Sequence, residues 1–155
     1  MDTEKDRPRW RGTVNYRVIR RLQLGVEYNP AAGEIAPLAT LFLLTETETR
    51  PALFLGTSSD RIGSPEGTQA YYLTVSKHVA GTPLGPYASL NYSEWGEGWN
   101  YPFGLTVELG KGFSLRPMYD GQRSHLTANY FTGRFGASLL YVWYERFGAA
   151  VSVGF

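Results

Sequence analysis

Few residues in this chain have the types and spacing that chemistry requires. His78 and His125 are the only histidines and there is no cysteine, which excludes thiolate nucleophiles, disulfides and thiolate metal sites. His125, Thr127 and Glu145 supply a base, a hydroxyl and a carboxylate, the set that activates an oxygen nucleophile. Such a set works only when folding brings its members together, so spacing alone makes it a weak catalytic candidate. Two separated histidines without cysteine do not form a zinc site, and Asp60 with Glu66 are too few carboxylates for calcium. The Gly-Glu-Gly within S-E-W-G-E-G-W-N, residues 93–100, precedes no helical pattern, so it is not a phosphate cradle. No metal and no cofactor are expected. With charged residues at 19% and a formal net charge of +1, no strong field favours a nucleic acid.

The elements that must position these side chains are strands. Eleven Tyr, eight Phe and four Trp stand beside eighteen Gly, a mixture that suits pleated sheets and turns and weakens helices. From Trp10 onward the chain falls into segments of about eight to eleven residues with a period of two. One face reads Trp10, Gly12, Val14, Tyr16, Val18, then Leu22, Leu24, Val26, Tyr28. After an ambiguous pair of strands near 35–45 and 50–58 it resumes with Tyr71, Leu73, Val75 and ends with Phe147, Ala149, Val151, Val153, Phe155. That face carries no charge. The opposite face is built of Gly, Ser and Thr with a few charges of both signs. Small residues with charges that can pair suit a crowded concave interior better than an open surface. The expectation is therefore all-β: a transmembrane antiparallel up-and-down β-barrel of 10–12 strands, apolar outside and polar inside. The segments number eleven, although single-chain bacterial barrels use an even number. Residues 1–9 are expected to form an N-terminal tail and residues 10–155 the barrel.

Aromatic residues sort toward the ends of these segments. Tyr28, Tyr92, Tyr101, Tyr119 and Trp143 are expected at one membrane interface and Phe113, Tyr130 and Phe135 at the other, where amphipathic rings prefer to sit. Trp95 and Trp99 in the 93–100 loop suit the same anchoring role, with sugar stacking as the alternative. On the polar face Arg11, Arg17, Glu27, Glu108, Arg116 and Asp120 are expected to form an interior charge network, since a buried charge needs a partner. Such a network would plug a narrow lumen or set the selectivity of a pore. Pro102 and Pro117 fall inside predicted strands, where bulges are expected to absorb the missing donors.

The last nine residues, F-G-A-A-V-S-V-G-F, resemble the C-terminal strand of bacterial outer-membrane proteins. The resemblance implies that Phe147, Val151, Val153 and Phe155 form the signal read by the outer-membrane assembly machinery, with lipid as the other partner and the outer membrane as the location. It indicates a class and no particular family. The start, M-D-T-E-K-D-R-P-R-W, lacks the apolar core of a secretory signal. The chain is thus expected either not to be exported or to be a mature form begun with Met. The leading functional expectation is a small integral barrel with a structural or narrow-pore role and a polar lumen. One alternative is an outer-membrane lipid-modifying hydrolase, in which Thr127 would replace the serine of a His-x-Ser pair; an enzymatic role is the less favoured expectation. The other is a soluble lipocalin-like barrel that holds an apolar ligand on its aromatic face.

Overall fold

The computed structural model of the chain describes residues 12–30, 33–60 and 67–154. Among these residues every regular element is a strand. They are β1 (Gly12–Ile19), β2 (Leu22–Asn29), β3 (Glu34–Leu44), β4 (Ala52–Ser59), β5 (Gln69–Ser76), β6 (Leu84–Ser93), β7 (Gly98–Asn100), β8 (Phe103–Gly110), β9 (Phe113–Tyr119), β10 (Ser124–Thr132), β11 (Phe135–Val142) and β12 (Arg146–Val153). The strands form one antiparallel sheet in chain order, an up-and-down meander of twelve strands with no crossover. The predicted tail over 1–9, and with it Arg11 and Phe155, lies outside the described residues.

Twelve strands occupy eleven positions, because β7 and β8 are two halves of one strand. Asn91 pairs with Asn100 across β6 and β7, and Ala88 pairs with Phe103 across β6 and β8. Three steps back along β6 match three steps forward on the other side, so the register never slips. Pro102 causes the break: it has no donor of its own, while its carbonyl still accepts from the Ser89 amide at 2.8 Å. The bulges expected at the prolines are absent. Pro117 pairs with Leu126 in an unbroken β9–β10 register. The register shifts instead at Arg17/Ile19, Phe42/Leu44 and Glu108/Gly110, in each case next to a connection at the same end of the sheet. Among the described residues no pairing joins β1 to β12, so the sheet is not closed into a barrel.

The strands group into two compact units. The first holds β1 to β4, β7, most of β5 and the end of β6; the second holds β8 to β12 and the start of β6. In both, the buried strand residues lie on the polar face and the apolar face is exposed, although β1 is exposed along its whole length and β12 along nearly all of it. In the first unit Glu27, Asp60, Thr74 and Ser93 are buried, at 9%, 4%, 7% and 1% exposure, while Tyr16 and Val14 are 73% and 65% exposed. In the second His125 and Ser114 are 7% exposed, against 81% for Val151 and 74% for Phe147. Among the described residues the buried hydrophobic side chains are only Ala36 and Ala70, a reversal of the usual inside and outside of a water-soluble domain.

Glycines let this polar face fold tightly by making room for large side chains from the next strand. Gly56 lies opposite Thr40, and a Cβ at Gly56 would stand 2.7 Å from the Tyr72 ring. The ring can therefore cross β4 and bring its hydroxyl 2.8 Å from Thr40 Oγ1. Gly104 does the same for Tyr87, whose ring would lie 2.7 Å from a Cβ there, and Gly136 for Phe131 at 2.6 Å. Phe42 and Phe54 join Tyr72 on this side, with ring centroids 5.6 Å and 6.3 Å apart. These rings explain the ambiguity of β3 and β4 in the sequence, since apolar side chains occupy both faces there.

Two connections are fixed by local contacts. The connection after β5 is held to the one between β3 and β4 by Lys77, whose ammonium donates to the carbonyls of Thr47 and Glu48 and lies 3.7 Å from Glu46. The His78 amide adds a bond to Glu46 at 2.8 Å. Between β11 and β12 the chain reverses in a tight turn closed by Glu145 N to Val142 O at 3.0 Å. Trp143 and Tyr144 sit there at φ of 56° and 57°, the left-handed pair that a type I′ hairpin needs. Trp143 is thus a turn residue and not the last residue of a strand.

Candidate functional site

His125 lies on the polar face of β10 between Met118 of β9 and Val142 of β11. Its Nε2 is 2.7 Å from Asp120 Oδ2. The other Asp120 oxygen accepts from the amides of Gln122 and Arg123, both at 2.8 Å, so a single carboxylate folds the 120–123 loop and holds the imidazole. Glu145 is elsewhere, 4.0 Å from Arg123, whose guanidinium lies 4.4 Å above the Trp143 ring. Thr127, two residues along β10, faces Arg116 and Leu140 and makes no side-chain hydrogen bond. The carboxylate brought to His125 is therefore Asp120, and neither Thr127 nor Glu145 is bonded to it. The pair can orient an imidazole; it has no activated hydroxyl in contact.

Of the remaining polar-face charges, Glu27 and Arg116 each meet a hydroxyl. Glu27 accepts from the Ser59 hydroxyl across Ala36, whose small side chain leaves the path open. Arg116 Nε donates to Thr106 Oγ1 at 3.2 Å. Among the described residues no ion pair joins Arg17, Glu27, Glu108, Arg116 and Asp120 to one another. No pattern within a single strand points to Ser59 and Thr106, whose hydroxyls meet Glu27 and Arg116.

The loop over 93–98 is ordered by a second buried carboxylate. Asp60 Oδ2 accepts from the Ser93 hydroxyl at 2.6 Å and the Trp95 amide at 3.2 Å, and Ser93 Oγ accepts from the Gly96 amide at 3.0 Å. Glu94 accepts from the Gln69 amide at 2.8 Å and the Tyr71 hydroxyl at 3.0 Å. Asp60 thus anchors a loop. Glu66 lies outside the described residues.

Rings at the strand ends pair on the exposed face. Tyr92 meets Trp99 at 5.4 Å, Phe103 meets Tyr119 at 5.4 Å and Phe113 meets Tyr130 at 4.5 Å. Among the described residues Tyr28, Tyr101 and Phe135 are exposed without such a ring partner; Tyr101 occupies the gap between β7 and β8. Along β12, Phe147, Val151 and Val153 share the exposed face, and Phe147 stacks on Tyr141 at 4.6 Å. The chain matches no protein-family model, no curated protein and no solved structure.

Proposed function

We propose that this chain is a small integral β-barrel of the bacterial outer membrane, with its apolar face in lipid and its polar face lining a lumen, serving as a structural element or narrow pore. The observation that carries this reading is the reversed burial. Apolar side chains along nearly every strand stand exposed while Glu27, Asp60 and His125 are buried. In water such a surface would be an aggregation hazard, whereas in a bilayer it is the required exterior. Lipid also demands closure, because an open sheet edge has no water to satisfy its backbone groups. A meander of eleven positions makes its first and last strands run in the same direction, so the closing ladder would be parallel. Paired rings at the strand ends suit the two interfaces. The uncharged exposed face of β12 suits recognition by the assembly machinery.

The test is refolding from denaturant with and without detergent micelles, read by far-UV circular dichroism and heat-modified gel mobility. A β-rich species that forms only in micelles and shifts on heating is the expected result. Folding to a soluble monomer in plain buffer would refute the membrane reading and favour a ligand-holding barrel.

A further inference from the structure

Unspent hydrogen-bond donors gather at one place on the polar face, around Arg116 in the middle of β9. Its Nε is engaged by Thr106 Oγ1 at 3.2 Å, which fixes the guanidinium and leaves the two Nη groups free. No carboxylate among the described residues lies within ion-pair distance of them. Thr127 is the direct cross-strand partner of Arg116 on β10, and its hydroxyl makes no hydrogen bond. Tyr87 reaches the same place from β6. Its ring lies over Gly104, where a Cβ would be 2.8 Å from the Tyr87 hydroxyl and 2.9 Å from the Pro117 carbonyl, so the hydroxyl is delivered beside the residue that follows Arg116. That hydroxyl is also without a partner. Thr106 spends a lone pair on Arg116 and keeps its proton to donate.

We propose that Arg116, with the hydroxyls of Thr106, Thr127 and Tyr87, forms a binding site for a small oxyanion, a phosphate or a carboxylate. The end-on Nη fork of a guanidinium matches two oxygens of such an anion, and the three hydroxyls supply further donors around it. The one fixed cation gives the charge, and the absence of a side chain at Gly104 admits the Tyr87 ring to the site. The site depends on the polar face alone and not on whether the other face meets lipid. If the chain is a pore, the site makes it one that favours anions.

The test is calorimetric titration of inorganic phosphate, and separately of acetate, into the full chain refolded in whichever medium, micelles or buffer, supports its β-rich state. Saturable binding of at least one probe is expected, weakened about tenfold or more in Arg116→Gln, as expected for a lost bidentate charge-assisted contact. Tyr87→Phe and Thr127→Val remove single donors without touching the charge, and each should weaken binding about threefold; they test the site even if Arg116→Gln does not fold. Arg134→Gln removes a charge in a turn and should leave binding intact. Equal affinity in Arg116→Gln, equal loss in Arg134→Gln, unchanged affinity in both hydroxyl variants, or no saturable binding of either probe would overturn the proposal. None of these results alters the outcome of the detergent experiment.

Discussion

Replacing Gly56 by Ala adds one methyl group to a place where the polar face has no room. The new Cβ would stand 2.7 Å from Tyr72 Cζ and 2.5 Å from its hydroxyl, and it would also meet the Ala39 carbonyl. Two adjustments follow. The Tyr72 ring must lift off β4, which breaks its 2.8 Å bond to Thr40. The main chains of β3 and β4 must also part, because a carbonyl cannot rotate away. Overpacking of this kind costs about 1–3 kcal/mol, and the lost hydrogen bond adds about 1 kcal/mol. Against these, removing a glycine from the unfolded chain returns about 0.4–1 kcal/mol. The net expectation is a loss of about 2 kcal/mol. With a urea dependence of about 2 kcal/mol per molar, the unfolding midpoint should fall by about 1 M, read by circular dichroism in the medium that supports folding. Gly85→Ala is the matched control: its nearest neighbour would be Thr106 Cβ at 3.6 Å, an ordinary contact, so its midpoint should hold or rise. In a Tyr72→Leu background the cost of Gly56→Ala should drop by about half, since the crowding ring is gone. An unchanged midpoint for Gly56→Ala, or equal losses at Gly56 and Gly85, would refute the account of these glycines.

Asp60→Ala should destabilise the chain by about 3 kcal/mol, since it removes two hydrogen bonds to a charged acceptor and leaves the Ser93 hydroxyl, 1% exposed, without its partner. Faster proteolytic cutting between Glu94 and Gly98 is the expected readout, and unchanged cutting would contradict the anchoring role of Asp60. Lys111 occupies the left-handed region at φ 52° in the two-residue turn between β8 and β9. Lys111→Asn should raise the urea midpoint by a stabilisation of about 0.5 kcal/mol, because asparagine tolerates that conformation better. A lowered midpoint would show that the lysine side chain contributes more than its backbone costs.

Much of the strand pattern is legible in the sequence because each strand has unlike faces. Tyr71, Leu73 and Val75 alternate with Ala70 and Thr74, and the structure exposes the first set and buries the second. The eleven segments correspond to the eleven positions of the sheet. Legibility fails where information lies across strands. Tyr72, Tyr87 and Phe131 are rings on the polar face, admissible only because Gly56, Gly104 and Gly136 lie beside them, and no single strand records which residue will be its neighbour. The His125 carboxylate is a similar case. Glu145 has the right chemistry, yet the turn between β9 and β10 brings Asp120 within 2.7 Å while β11 carries Glu145 toward Arg123. Ser59 and Thr106, which hold Glu27 and Arg116, are common residues with no spacing that marks them.

The pairing of rings with glycines bears on how this sequence can vary over time. Tyr72 and Gly56, Tyr87 and Gly104, and Phe131 and Gly136 are neighbours across ladders while separated along the chain. A larger residue at any of these glycines is tolerable only once the ring beside it has shrunk, so neither member is free to drift alone. Among descendants of such a gene, substitutions at these positions should arrive in couples. The alignment of one strand with the next would then be recorded as correlated change at distant positions, readable without any structure.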